Sequence, residues 1–376
     1  MRRRRKIIMT ALLLAVIVVF YFFIPTIRQK ANPDLVPAYS ADPISFAQEE
    51  DLHFFPEGLV ICGSPSRFYD LDGTDILPPF KQDDLSAENG NIDIIAHTEN
   101  YIATASNRIY NTQTVPFSMV YENKDIHLWD MKEYSDFLLL LIQNEESAVE
   151  PFVLVRGSDF LISLDGIGDS KYISADSSRG GKDLSLLTMS LDAPVPFPRV
   201  FHYVNRNELY GVLSLEDQFL YNIFRLKSAI VLIGINNILC YNIDGKLLWS
   251  VKNDSNGLFD AIPEKNGLLL YFPEITHIGE DKGNCLFVQN NGDRSVKEFP
   301  KYLSNLRTYR NGYIGLEYKK TLVFLNKNGR ATKKQKLPDP VNTLEVDPYK
   351  PENLYVRTDS NTLQLYTTEK QEEDEE

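Results

Sequence analysis

Hydrophobic and polar positions fall into two regimes along this chain. Residues 7–24 (IIMTALLLAVIVVFYFFI) are apolar throughout and carry no charge. At about 1.5 Å rise per residue such a run makes a helix of roughly 27 Å, close to the hydrocarbon thickness of a bilayer. Beyond residue 45 the pattern changes to short apolar or alternating runs rich in Tyr, Phe, Ile, Val and Leu, punctuated by polar turns, and these predict strands. No amphipathic pattern of three helical turns occurs there, so the body is expected to be all-β.

The strand pattern repeats. A polar or glycine-containing turn precedes a short apolar run at Glu57-Gly58, Glu99-Asn100, Ser135-Asp136, Lys182-Asp183, Lys227-Ser228-Ala229, Asn266-Gly267, Asn311-Gly312 and Glu352-Asn353. The runs begin at Leu59, Tyr101, Phe137, Leu184, Ile230, Leu268, Tyr313 and Leu354, in steps of 42, 36, 47, 46, 38, 45 and 41 residues. A step of about 42 is the length of a four-stranded propeller blade. Pairs suited to two-residue hairpins keep the same step: Asp72-Gly73, Asp165-Gly166, Asp244-Gly245, Asn291-Gly292 and Asn328-Gly329. Two further turns are degenerate, near Asn111-Thr112 and Asn205-Arg206.

Both markers predict a β-propeller of eight blades, with seven the alternative because residues 172–226 are weakly patterned. A twisted sheet cannot bury both faces alone, and a ring of sheets lets each cover its neighbours. A ring also accommodates a body larger than a single core of roughly 250 to 300 residues. The last unit shows three strands, and residues 44–55 are expected to complete it and clasp the ring. The predicted organisation is a basic segment 1–6, a transmembrane anchor 7–24, a Pro-punctuated linker 25–43, the propeller 44–370 and an acidic tail 371–376.

Charge sharpens the picture at the N-terminus. The first thirty residues hold Arg2, Arg3, Arg4, Arg5, Lys6, Arg28 and Lys30 and no acidic group, so the rest of the chain carries 32 basic against 52 acidic residues, a formal −20. Five basic residues before the apolar run place the N-terminus in the cytoplasm and the body outside it, Tyr21, Phe22 and Phe23 suit the far interface, and Pro25 ends the helix. A cleaved signal peptide is the competing reading. Residues 24–28 offer no small-residue cleavage site, Ala38-Tyr39-Ser40-Ala41 lies well beyond the helix, and no cysteine follows to accept a lipid, so an uncleaved anchor in the bilayer is favoured. The acidic body excludes nucleic acid as a partner.

Candidate chemistry is sparse. His53, His97, His127, His202 and His277 form no spaced ligand pair, and Cys62, Cys240 and Cys285 sit in or beside apolar strands as small hydrophobes. Ser64 lacks a nucleophile elbow, and Gly166 and Gly168 lack the third glycine of a dinucleotide site. Residues 70–75 (DLDGTD) have half the pattern of a calcium loop and are expected to form a hairpin turn. Asn253-Asp254-Ser255 is the one credible glycosylation sequon, and a single sequon without a disulfide framework points to a bacterial envelope. No catalytic, cofactor or metal residue is predicted.

Residues 241–249 (YNIDGKLLW) resemble the quinoprotein-type, or PQQ-like, propeller repeat, with an Asp-Gly turn, a basic residue and Trp249 on the outer strand. Residues 68–74 and 322–330 resemble it more weakly, lacking the Trp, and Trp129-Asp130 resembles the ending of a WD repeat. The resemblance implies a scaffold in a bacterial cell envelope, binding another envelope protein or a polymer. It also raises the alternative of a PQQ- and calcium-dependent quinoprotein dehydrogenase, which two tryptophans and the lack of a Cys-Cys pair disfavour. A small-molecule sensor with its ligand in the central channel is the third reading.

Overall fold

The structure, a computed structural model, describes residues 35–37, 44–47, 50–71, 73–87, 92–144, 148–178, 180–192, 194–216, 218–255 and 259–368. The expected anchor 7–24, its flanking basic segment and the acidic tail 371–376 lie outside these residues. Among the described residues no helix is long and apolar enough to cross a membrane.

The body is an eight-bladed β-propeller. Each blade is an antiparallel meander, and its strands are called A to D in order, with A–B and C–D turns at one end and B–C loops and blade-to-blade connections at the other. The chain divides into two compact units, one holding residues 44–302 and the other 1–43 with 303–376.

The larger unit contains blades 1 to 6. Blade 1 has three strands (Asp51–Phe55, Gly58–Cys62, Arg67–Asp70), and its position D is reduced to a bridge between Tyr69 and Asp75. Blade 2 follows (Ile94–His97, Tyr101–Thr104, Arg108–Asn111, Ser118–Glu122), then blade 3 (His127–Glu133, Phe137–Gln143, Val149–Val155, Leu161–Ser163). Blade 4 (Lys171–Ser177, Leu184–Ser190, Phe197–Val204, Glu208–Ser214) and blade 5 (Leu220–Arg225, Ala229–Gly234, Asn237–Asn242, Leu247–Lys252) fill the weakly patterned stretch with regular strands, which settles eight blades over seven. Blade 6 (Asp260–Glu264, Gly267–Tyr271, Cys285–Gln289, Arg294–Lys297) carries a small hairpin in its B–C connection. A six-residue helix, Gln82–Ala87, joins blades 1 and 2.

The smaller unit contains blade 7 (Leu303–Tyr309, Gly312–Glu317, Thr321–Asn326, Ala331–Lys336) and blade 8 (Val341–Val346, Leu354–Thr358, Thr362–Thr368). The fourth strand of blade 8 is Leu35–Pro37, antiparallel to Thr362–Thr368. Of the 44–55 stretch expected to supply it, Ile44–Ser45 joins the same sheet by pairing with Thr362–Thr368, while Asp51–Phe55 opens blade 1. Leu35 is the anchor of this arrangement: its side chain is buried in the apolar core of blades 7 and 8, its N–H donates to Gln335 Oε1 (3.1 Å), and Gln335 Nε2 donates to its carbonyl (2.6 Å). A strand therefore lies inside the stretch read as linker.

All eight apolar runs marked by the repeat are B strands. Alternation explains their near-continuous hydrophobicity, because successive side chains face opposite neighbouring blades. In blade 3, Leu138, Leu140 and Ile142 pack toward blade 2, while Phe137, Leu139 and Leu141 pack toward blade 4. Comparable buried clusters lie between blades 1 and 2, 4 and 5, and 5 and 6.

The second marker holds for the C–D turns of blades 5, 6 and 7, where Gly245, Gly292 and Gly329 have φ of 81°, 92° and 75°. Blade 4 achieves the same turn without glycine, with Asn205 and Arg206 at φ of 50° and 83°. Asp165-Gly166 departs from expectation. It follows the last strand of blade 3, whose C–D turn is Arg156-Gly157, with Gly157 at φ 76°.

Candidate functional site

The A strands of blades 2 and 3 adjoin, as do those of blades 4 and 5, and in blades 2 to 5 each carries a β-bulge, between Ile94 and Ala96, Leu128 and Asp130, Tyr172 and Ser174, and Leu220 and Asn222. A bulge inserts an extra residue and re-aims those that follow. Here polar groups follow it: Ser174 Oγ donates to Asn222 Oδ1 of the next blade at 2.9 Å. Below the bulges, the A strands and A–B turns of blades 2 to 6 enclose a cavity of about 840 Å³, all of it within the larger unit.

The wall is built from charged groups in three linked sets. Glu133 Oε2 accepts from Thr98 Oγ1 and from the Asn100 N–H, both at 2.9 Å, and Oε1 accepts from Asn100 Nδ2 at 2.8 Å and Arg156 Nη2 at 2.6 Å. This carboxylate thus ties the A–B turn of blade 2 to the C–D turn of blade 3. Lys132 Nζ donates to the Ala175 carbonyl at 3.2 Å, and burial lowers its pKa against the opposing pull of Asp176 and Asp130. Asp176 Oδ2 accepts the Arg225 N–H at 2.7 Å, and burial pushes its carboxyl up to about 6 even though that bond and the positive charges of Lys132 and Arg225 favour the ionised form.

Arg225 lies beneath the wall, 3% exposed. Its Nη1 donates to the carbonyls of Leu226 and Ala229, the latter at 3.2 Å, and Nη2 approaches Asp183 at 3.7 Å. Tyr134 completes the wall. Its hydroxyl is buried with no hydrogen-bond partner, and burial, then Asp176 and Tyr172, raise its pKa well above the usual value, so it stays protonated.

The predicted chemistry is dispersed through the fold. His97 alone of the histidines lines the cavity, edge-on to His53 at 5.6 Å. His53 Nδ1 faces the Thr98 carbonyl and so donates to it, leaving Nε2 to accept from Thr112 Oγ1, both at 3.0 Å. Burial lowers its pKa to about 3. His202 is buried in blade 4 with Nδ1 3.2 Å from Ser185 Oγ, while His127 and His277 are exposed. The three cysteines are buried free thiols, and burial raises the pKa of each. Among the described residues no three His, Cys, Asp or Glu side chains gather to hold a metal. Asp72 lies outside the described residues, and Asp70 Oδ1 accepts the Thr74 N–H at 2.8 Å within the turn.

The sequon proves to be structural. Asn253 is 6% exposed and its Nδ2 donates to the Gly234 carbonyl at 2.6 Å, so a glycan has no room there. Trp249, the residue that carries the repeat resemblance, donates Nε1–H to the Gly292 carbonyl of blade 6 at 2.7 Å, with Arg294 over its ring. It acts as an inter-blade latch.

Lys132, Asp176 and Arg225 went unread in the sequence. Their signal is a charged residue inside the apolar run a few positions before a repeat marker, legible only once that run is known to be an A strand.

The opposite end of the larger unit has another character. Its loops expose Leu77, Leu191, Val195, Phe219, Ile235 and Tyr302. Phe219 and Ile235 are 62% and 61% exposed and adjacent, the Ile235 N–H donating to the Phe219 carbonyl at 2.9 Å.

The chain matches no known protein family and no curated protein. Several solved structures are similar to it. BamB from Moraxella catarrhalis is 9% identical, covering 89% of this chain and 100% of its own, with a TM-score of 0.48. The WD40 domain of Neurospora crassa Pan2 is 10% identical, covering 74% and 89%, with a TM-score of 0.43. The computationally designed Ika8 protein is 12% identical, covering 73% and 96%, with a TM-score of 0.37. The likeness is one of fold.

Proposed function

We propose that this chain is a non-enzymatic scaffold whose propeller binds another protein through the loop end that carries Phe219 and Ile235. The observation behind this reading is that pair of large apolar side chains, exposed side by side on loops of blades 4 and 5. Exposed apolar groups on rigid loops are what protein partners desolvate, and aromatic residues supply much of the binding energy.

In the same reading residues 7–24 anchor the protein in the bilayer, the N-terminus stays cytoplasmic, and the propeller is displayed outside the cytoplasmic membrane to meet an envelope protein. The apolar run and the five basic residues before it support this placement. Crosslinking in intact cells, followed by mass spectrometry of the wild-type chain and of a Phe219→Asp/Ile235→Asp variant, tests both parts. A crosslinked envelope protein lost in the variant is expected. Crosslinks only to cytoplasmic proteins would refute the placement, and crosslinks unchanged by the variant would refute the face.

A further inference from the structure

The cavity at the A–B end has unmet hydrogen-bonding capacity of one kind. Its buried acceptors are engaged: Glu133 receives four hydrogen bonds, and Asp176 is held by the Arg225 N–H. Its donors are not. Lys132 Nζ offers three N–H groups and spends one on the Ala175 carbonyl. The Tyr134 hydroxyl is buried and donates to nothing. At the rim, Lys227 and Lys265 are exposed, and no hydrogen bond or ion pair engages either ammonium among the described residues. Leaving a buried donor unpaired costs free energy that an incoming acceptor recovers.

Charge points the same way. The body is strongly acidic, with a formal −20 beyond residue 30, yet beyond the groups already paired the cavity wall presents three cations, Lys132, Lys227 and Lys265, against one exposed carboxylate, Glu99. A concave site with low-dielectric walls concentrates the field of those few cations while the surrounding surface repels the same ligands.

We infer that this cavity binds a small oxyanion-bearing ligand, its carboxylate or phosphate received by Lys132 and Tyr134, with Lys227 and Lys265 at the entrance. Burial weakens the Lys132 ammonium, and a bound anion restores the charged form. The site is separate from the apolar loop end, and its ligand need not affect the protein partner.

The test is isothermal titration of the full chain in detergent micelles with two probes, citrate for carboxylates and inorganic pyrophosphate for phosphates. At least one is expected to bind with a Kd below about 1 mM, a range set by a few charge-assisted hydrogen bonds. Binding of citrate alone assigns a carboxylate ligand, and binding of pyrophosphate alone a phosphate ligand. Lys132→Met should weaken binding about tenfold or more and Tyr134→Phe about threefold, the sizes expected for a charged and a neutral hydrogen bond. The rim pair Lys227→Glu/Lys265→Glu is exposed and leaves packing intact, so it keeps the test decisive if Lys132→Met fails to fold. It should weaken binding about fivefold and flatten its salt dependence. Failure of both probes to bind below about 10 mM, or affinities unchanged in the rim variant, would overturn the inference.

Discussion

The two ends of the larger unit's blades differ in what holds them and in what they offer. At the A–B end charged groups are built into the wall, where Glu133, Lys132 and Asp176 connect neighbouring blades through hydrogen bonds of 2.7 to 3.2 Å. At the other end Phe219 and Ile235 project into solvent, joined by a backbone hydrogen bond. The same strands feed both ends, so the difference lies in the turns. Short A–B turns sit where the A strands adjoin and are closed over by neighbours, whereas the B–C loops and blade connections lie outside the packed sheets. Polar groups at the first end carry structure as well as chemistry. Apolar groups at the second are free to serve a partner.

The largest expected effect tests that contrast directly. Arg225→Ala removes a buried guanidinium that donates to the carbonyls of Leu226 and Ala229, and leaves Asp183 without its cation. Urea unfolding should show a loss of about 3 kcal/mol. A loss below about 0.5 kcal/mol, the range of ordinary surface changes, would mean the wall is not structural.

A smaller effect concerns pH. The Asp176 carboxyl is raised to about 6 in the folded protein, above its usual value of 3.8, so the native state holds this proton more tightly than the unfolded chain. Stability from this group is therefore fully present below the unfolded value of 3.8 and is lost as pH rises from there through about 6. Asp176→Asn keeps an acceptor for the Arg225 N–H and removes the ionisation. It should raise stability by about 1 to 2 kcal/mol at pH 8 and by almost nothing near pH 3. Lys132 and Arg225 face this carboxyl, and a variant less stable at pH 8 would show that their attraction outweighs its burial.

The smallest effect belongs to the loop end. Phe219→Ser and Ile235→Ser should each shift the unfolding midpoint by the equivalent of about 0.5 kcal/mol or less, because little buried area is lost. A loss comparable to that of Arg225→Ala would make these side chains part of the core.

Much of the fold could be read before any coordinates. The B strands announce themselves because burial on both faces demands an unbroken apolar run, as in Phe137–Gln143 and Ala229–Gly234. The A strands were harder, because bulges at Trp129, Ile173 and Tyr221 break their alternation. Turn chemistry was only partly reliable. Asn205 and Arg206 adopt left-handed backbone without glycine, and the Asp165-Gly166 pair serves a connection instead of a hairpin. The sequon misled because Asn253 reads the same in an exposed loop and in a buried turn.

By itself the sequence determined the blade length, the all-β architecture and the apolar run at residues 7–24, since each follows from local periodicity that neighbouring residues reveal together. Only the tertiary structure decided that Leu35–Pro37 closes blade 8, and that Lys132, Tyr134, Asp176 and Arg225 share one cavity. The physical reason is separation along the chain. Leu35 and Gln335 are 300 residues apart, and the cavity groups come from A strands more than forty residues distant from one another, so no local pattern records their meeting.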